Sequence, residues 1–112
     1  VLDMARDNAR RAGVDHMIEF SRRNADIFEP PIEEKGILLT NPPYGIRLGD
    51  EFFLEELYKN FSHRLKQNCK GWDLWLLSGN ADLTKHLRMK STNRFQVANG
   101  NLDCRLIHYQ IR

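Results

Sequence analysis

GILLTNPPY, residues 36–44, is the stretch of sequence that decides the fold. Residues 36–40 form a continuous apolar run without polar alternation, and such a run is typical of a strand buried on both faces of a parallel sheet. The two prolines that follow fix φ and forbid regular structure, so we expect the strand to end at the NPPY tetrapeptide. Ligands of open α/β sheets bind at the carboxyl ends of the strands. The position of the tetrapeptide therefore indicates a functional loop.

The loop Asn41-Pro42-Pro43-Tyr44 has the chemistry to hold a planar amino group. An exocyclic amine of a nucleic-acid base is a poor nucleophile, because its lone pair is delocalised into the ring. Acceptors from the Asn41 side chain and the Pro42 carbonyl can hold its two protons and direct the nitrogen toward an electrophilic methyl group. Tyr44 can stack on a base that has left its helix. The alternative is a rigid turn without function, and the position after a buried strand favours the functional interpretation.

A helix, a strand and a loop are predicted before this segment. Small apolar residues recur at helical spacing from Leu2 to Ala12, and Gly13 then supplies a helix stop. A short apolar run at Ile18 to Phe20 predicts a strand. The loop that follows it includes the pair Pro30-Pro31, which excludes regular structure there.

A long amphipathic helix is predicted after the NPPY loop. Asp50 can cap this helix, which we expect to continue until Gly71. Its apolar stripe consists of Phe53, Leu54, Leu57, Phe61 and Leu65. A further apolar strand is predicted from Trp72 to Leu77.

The C-terminal third predicts a short helix and then a β-hairpin. Either Ser78 or Asn80 can cap the short helix. The strands Arg94 to Ala98 and Leu102 to Ile111 flank Asn99-Gly100, which is a two-residue hairpin signal. Strands that alternate with helices and end in a hairpin predict an α/β fold, with a mainly parallel sheet and an antiparallel edge. We expect residues 1–112 to form part of one such domain, because a complete doubly wound domain usually needs a longer chain.

Composition and charge exclude some classes of protein and leave others open. The formal net charge of +2 permits a nucleic-acid partner without arguing for one. No apolar run approaches the roughly 20 residues of a membrane span, and no export signal is present, so we expect a cytoplasmic protein. The two cysteines and four histidines lack metal-ligand spacing, so we expect no metal site. A basic cluster is more typical of a solvated surface than of a nucleic-acid path. Its members are Lys85, His86, Arg88, Lys90 and Arg94.

Several motifs together resemble one family. NPPY after an apolar strand is similar to the signature of class I methyltransferases that act on amino nitrogens. The whole set, in its order and spacing, resembles the bacterial large-subunit ribosomal RNA guanine-N2 methyltransferases of the RlmL type. The motifs are NPPYGIRLGD at residues 41–50, Gly71-Trp72, Ser78-Gly79-Asn80 with Asp82-Leu83, and NGNLDC at residues 99–104. The resemblance covers essentially the whole chain.

The resemblance implies a Rossmann-like fold, S-adenosylmethionine as cofactor and large-subunit ribosomal RNA as partner. It implies that Asn41, Pro42, Pro43 and Tyr44 are catalytic residues, and that Asn41 also contacts the cofactor. Asn24 and Asp26 correspond to positions that contact the cofactor adenine in the family. The family's glycine-rich cofactor loop and ribose-binding carboxylate precede the helix that begins at Leu2, so we expect the chain as given to be inactive. Adenine N6 in DNA, glutamine in protein, and a noncatalytic interaction lobe remain alternatives.

The resemblance also has a consequence for the sheet. In the family, two strands that would precede this sequence lie between the strand at Ile18 to Phe20 and the strand at Ile37 to Thr40. We therefore expect the four strands from Ile37 onward to stay together. The first strand is expected to be displaced, swapped or paired with another molecule.

Overall fold

A computed structural model describes residues 1–31, 34–43, 51–100 and 102–112, apart from the side chains of Asp26, Asn99 and Leu102. Its helices are α1 (Leu2–Arg11), α2 (Glu51–Asn68) and α3 (Ala81–Thr84). Its strands are β1 (Ile37–Thr40), β2 (Asp73–Ser78), β3 (Ser91–Asn99) and β4 (Leu102–Gln110). Short 3₁₀ turns occur at Asp15–Met17, Ala25–Ile27 and Lys85–Leu87. Of the helices that the structure describes, none has the length and apolar character of a membrane span.

The four strands form one mixed sheet in the order β1-β2-β4-β3. β1 and β2 are parallel, while β4 is antiparallel to both β2 and β3. Two predictions are thereby confirmed: the α/β fold with an antiparallel edge, and the cohesion of the four strands from Ile37 onward. The described part of the sheet is mixed rather than mainly parallel, because two of its three strand pairings are antiparallel. Because β1 and β2 point the same way, Thr40 and Ser78 bring their carboxyl ends to the same edge of the sheet.

The core lies between α2 and one face of the sheet. Apolar side chains of α2 and of the three strands β1, β2 and β4 interdigitate there. Fully buried members from the strands are Leu74, Leu76, Ile107 and Tyr109. Complete burial of one such leucine stabilises the fold by about 1.5–3 kcal/mol relative to an exposed one. This layer fixes the position of α2 relative to the carboxyl end of β1.

Local sequence signals explain where several elements end. Gly13 adopts φ +73°, and the amide of Val14 donates to the carbonyl of Ala9 over 3.0 Å, which closes α1 as predicted. The side-chain oxygen of Asn80 accepts hydrogen bonds from two amides in the first turn of α3. Asn80, rather than Ser78, is therefore the cap of the short helix.

Two local predictions are wrong in detail. Residues 18–20 form no strand, because a strand needs a neighbour to satisfy its backbone groups and no described strand lies beside them. Instead, the guanidinium of Arg6 lies 5.9 Å from the centroid of the Phe20 ring. Asn99 is the last residue of β3 and pairs with Leu102, so the hairpin turn begins at Gly100, one residue later than predicted.

The predicted burial of two apolar segments also needs correction. Ile37 and Leu39 are 69% and 77% exposed, because α2 covers only one face of the described sheet. Phe53 is exposed as well, although it belongs to the predicted stripe of α2. Leu54 is buried in its place, and Tyr58, one helical turn later, is 3% exposed. The covered stripe thus lies slightly to one side of the predicted one.

Candidate functional site

A hydrogen bond from α2 fixes the loop at the end of β1. The hydroxyl of Tyr58 donates to the carbonyl oxygen of Pro43 over 2.9 Å, while the Tyr58 ring is buried in the core. Asn41 directly follows β1 and is exposed, and Pro42 is half-buried. The strand therefore sets where the loop begins, and the buried tyrosine sets where Pro43 lies.

A second segment faces this loop across a cavity. Residues 21–25 form one wall, the end of β1 with the proline loop forms another, and α2 lies between them. The cavity volume is about 480 Å³, which is in the range of small-molecule sites. Its lining residues are Ser21, Arg23, Asn24, Ala25, Phe28, Leu38, Leu39, Thr40, Asn41, Pro42, Pro43, Leu57, Tyr58, Phe61 and Leu76.

The lining combines an apolar floor with a polar rim. Leu38, Leu57 and Phe61 supply apolar surface, whereas Asn24 and Asn41 carry amides that both donate and accept hydrogen bonds. A flat heterocycle with polar edges matches this combination, because its ring needs apolar contact and its edge needs amide partners. The arrangement suits a nucleoside or a base better than a long aliphatic ligand.

The same helix holds the opposite wall. Arg64 of α2 donates from Nε to the carbonyl of Phe28 over 3.3 Å and from Nη2 to a carboxylate oxygen of Glu29 over 2.9 Å. Asn68 donates to the same Phe28 carbonyl over 3.4 Å. The rings of Phe28 and Phe61 meet edge to face with centroids 6.2 Å apart. One helix thus positions both walls of the cavity.

The structure brings four predicted site residues to one cavity. Asn24, Asn41, Pro42 and Pro43 all line it, although 16 residues of sequence separate the first two. Tyr44 lies outside the described residues. The backbone at Asp26 belongs to the turn Ala25–Ile27, but its side chain is outside the description, so its cofactor role stays a prediction.

Sequence reasoning missed Tyr58 and Arg64. A tyrosine one turn after Leu54, on the apolar side of a helix that follows a functional loop, is a signal that could have been used. No comparable signal exists for Arg64, because its partner Glu29 lies 35 residues away in sequence. Within the described ranges, no group of three or more His, Cys, Asp and Glu side chains is arranged to hold a metal ion.

Comparison with protein families gives one match. A family model described as "RMKL-like, methyltransferase domain" (UPF0020) matches residues 1–108. The chain is 41% identical over 106 residues to a protein of Alteromonas mediterranea named ribosomal RNA large subunit methyltransferase K/L, and covers 15% of it. It is 35% identical over 114 residues to a protein of the same name from Pseudomonas putida, and covers 16% of it. Those stretches span 95% and 100% of the chain.

Solved structures give a concordant match. The crystal structure of a "possible methylase" from Clostridium difficile 630 superposes with a TM-score of 0.86 at 33% identity, over 98% of the chain and 29% of that structure. The structure of SMU.472 complexed with SAH superposes with a TM-score of 0.85 at 25% identity, over the same shares of the two chains. The chain therefore spans less than a third of each of these relatives.

Proposed function

Because the chain belongs to the family of RMKL-like methyltransferase domains, and has the α/β fold of class I methyltransferases, we propose that it forms part of an RNA methyltransferase. The proposed reaction transfers a methyl group from S-adenosylmethionine to the exocyclic N2 of guanine in large-subunit ribosomal RNA, in the cytoplasm. One observation carries the proposal: Asn24 and the loop Asn41 to Pro43 face a single cavity whose two walls are held by α2.

Asn24 is proposed to contact the adenine of the cofactor. Its side-chain carbonyl can accept a hydrogen bond from the adenine amine, and its amide can donate to a ring nitrogen. Leu38 and Phe61 provide apolar surface for the flat ring in the same cavity. When bound, the cofactor supplies an electrophilic methyl group on a sulfonium. The donor set of this cavity therefore fits the cofactor.

Asn41 and Pro42 are proposed to hold the amine that receives the methyl group. The carbonyl of Pro43 accepts the hydroxyl of Tyr58, so its role is to anchor the loop. The Pro42 carbonyl and the Asn41 side chain are the acceptors assigned to the two amine protons, which directs the nitrogen toward the methyl group. Such positioning carries the rate enhancement, since no covalent intermediate is needed. Tyr44 is proposed to stack on the base.

A chimera tests the cofactor assignment. In it, residues 1–108 replace the matching segment of a longer K/L relative, and S-adenosylmethionine is titrated into the chimera and into the 112-residue chain. The chimera is expected to bind, and the chain alone to bind much more weakly and to be inactive. A folded chimera without cofactor affinity would remove the methyltransferase proposal.

Single substitutions in the chimera separate the two proposed roles. Asn41→Ala is expected to lower kcat on unmodified ribosomal RNA by about 100-fold or more, because the amine loses an oriented acceptor. Asn24→Ala is expected to raise the KM for the cofactor with a smaller effect on kcat. Full activity of Asn41→Ala would contradict its role. Faster methylation of DNA or of a glutamine peptide than of ribosomal RNA would favour the alternative amines.

The open edge of β1 bears on the alternative of an interaction lobe. Among the described strands β1 pairs only with β2, and its side chains Ile37 and Leu39 are largely exposed. Such an edge can accept another strand, including one from a second molecule. Sedimentation of the chain over a concentration series tests this pairing. A strictly monomeric chain at all concentrations would argue against it.

A further inference from the structure

A second pocket lies at the end of the sheet opposite the proline loop. It is formed where β3 begins, where β4 ends and beside the last turns of α2, and its volume is about 450 Å³. Its lining residues are Lys66, Arg88, Met89, Lys90, Ser91, Thr92, Gln110 and Arg112. Because Gln110 pairs with Asp73, the first residue of β2, this pocket is at the amino end of the parallel strands.

The lining of this second pocket, which we call the basic pocket, is strongly positive. Four of its eight residues are Lys or Arg and none is Asp or Glu, whereas the whole chain has a formal net charge of only +2. Over the described ranges, no carboxylate side chain lies within ion-pair distance of these four cations. Elsewhere the pattern differs: Arg64 is paired with Glu29, and Arg105 with Asp103. The positive charge of the basic pocket is therefore not neutralised by the fold.

Arg88 adopts an unfavourable backbone conformation at the rim of the basic pocket. Its φ of +52° and ψ of +42° lie in the left-handed region, which costs a residue other than glycine on the order of 1 kcal/mol. Glycine would fit this position without that cost. The carbonyl of Arg88 accepts a hydrogen bond from Lys66 Nζ over 3.1 Å, which holds the lysine at the same rim. Arg88 closes the 3₁₀ turn Lys85–Leu87, and this hydrogen bond brings the Lys66 ammonium beside the same turn.

The polar groups of the basic pocket match a phosphate. Arginine can donate two parallel hydrogen bonds to phosphate oxygens, and lysine adds a point charge. The hydroxyl of Ser91 accepts from Arg94 Nε over 3.2 Å, which leaves its proton for an oxygen of the ligand. Thr92 adds a second hydroxyl. Cations and hydroxyls without a carboxylate are the donor set of an oxyanion site.

We propose that the basic pocket of Lys66, Arg88 and Lys90 binds a backbone phosphate of the RNA substrate. The RNA source of the phosphate rests on the proposed function. Lys66 follows Tyr58 by eight residues on α2, so the phosphate site lies about 12 Å further along the helix than the tyrosine that anchors the loop. A few nucleotides that flank the target base can span this distance along α2. This assignment replaces the interpretation of Arg88 and Lys90 as merely solvated charge.

The test measures binding of a fluorescein-labelled single-stranded RNA to the purified chain by anisotropy, over a series of salt concentrations. The variant Arg88→Gly with Lys90→Gln removes two cations, and glycine suits the backbone at residue 88. Its control, Arg10→Gln with Arg11→Gln, removes the same charge from exposed positions on α1. We expect the pocket variant to bind RNA about tenfold more weakly, with a salt slope reduced by about 1.4, or about 0.7 per lost contact. The control is expected to bind nearly like the wild type.

Several outcomes would overturn the proposal. Equal losses in the pocket variant and the control would show that only net charge matters, and absence of RNA binding by the wild type would exclude the site. To identify the source of the phosphate, inorganic phosphate and RNA are titrated separately while the NMR amide signals of residues 88–92 are followed. Shifts with phosphate but none with RNA would overturn the assignment to RNA. Cofactor affinity of the chimera is measured separately, so failure of the proposed function would be recognised independently.

Discussion

The two faces of the sheet differ sharply, although the same strands form both. On the face that α2 covers, Leu74, Leu76 and Ile107 are almost completely buried. On the opposite face Leu39 is 77% exposed and Phe95 is 50% exposed. The covered face also carries the helix that holds both walls of the candidate site. Stability and site geometry therefore depend on the same layer of side chains.

The open face is partly covered by its own side chains. The Trp75 ring is stacked with those of His108 and Phe95, with centroid distances of 4.6 Å and 6.2 Å. His108 Nε2 also lies 2.8 Å from a carboxylate oxygen of Asp73. Stacked aromatic pairs contribute about 0.5–1.5 kcal/mol each, which is less than the burial of a complete apolar layer. Lateral stacking thus reduces the exposure of this face without providing a second core.

The largest expected effect is a difference in stability between matched substitutions on the two faces of the sheet. Leu76→Ala removes a fully buried side chain and leaves a cavity against α2, so we expect the free energy of unfolding to fall by about 2–5 kcal/mol. The matched change Leu39→Ala on the open face is expected to cost no more than about 0.5 kcal/mol. Urea denaturation followed by circular dichroism measures both. Similar losses at the two positions would mean that both faces are covered in solution.

The alternation of helix and strand and the position of the NPPY loop could be predicted from sequence, because both depend on local patterns. The exposure of the open face of the sheet could not be predicted from the sequence. The run DLWLLS of β2 is apolar at consecutive positions, yet Leu74 and Leu76 are buried while Trp75 and Leu77 are only half-buried. An apolar run indicates what a strand is able to bury. Actual burial depends on which layers are present in the folded chain.

The candidate site was predictable only in part, for a similar reason. Asn41 and Pro42 form one continuous motif, so their place at the end of β1 follows from the strand prediction. The contacts that hold the walls join residues far apart in sequence, such as Tyr58 with Pro43 and Arg64 with Phe28. These pairs depend on how α2 packs on the sheet, and no local pattern specifies that packing.

A smaller loss of stability is expected when the hydrogen bond between α2 and the proline loop is removed. Tyr58→Phe keeps the buried ring but removes the donor to the Pro43 carbonyl, so we expect a loss of about 1 kcal/mol in unfolding free energy. In the chimera the same change is expected to raise the KM for RNA, because the loop is less well positioned. The control is Tyr109→Phe, at a residue that is 2% exposed on the same covered face. The Tyr109 hydroxyl makes no hydrogen bond among the described residues, so its removal breaks no such contact. An equal change in KM for both variants would contradict an anchoring role of Tyr58.

The smallest expected effect concerns the thiol at the end of the covered layer. Burial raises the pKa of the Cys69 thiol above its ordinary value of about 8.5. A group whose pKa is raised by folding keeps its proton more readily in the folded state, so stability is unaffected below the unfolded pKa and falls as the pH rises above it. The contribution of Cys69 to the unfolding free energy should therefore be the same at pH 6 and pH 7 and lower at pH 10. Burial also raises the pKa of the Tyr109 hydroxyl, which adds to the decline at high pH. Cys69→Ala should lose part of this decline at high pH, although it is less stable at every pH because it leaves a small cavity. An identical pH profile for the variant and the wild type would show that Cys69 is open to water, and hence that the covered layer loosens where α2 ends.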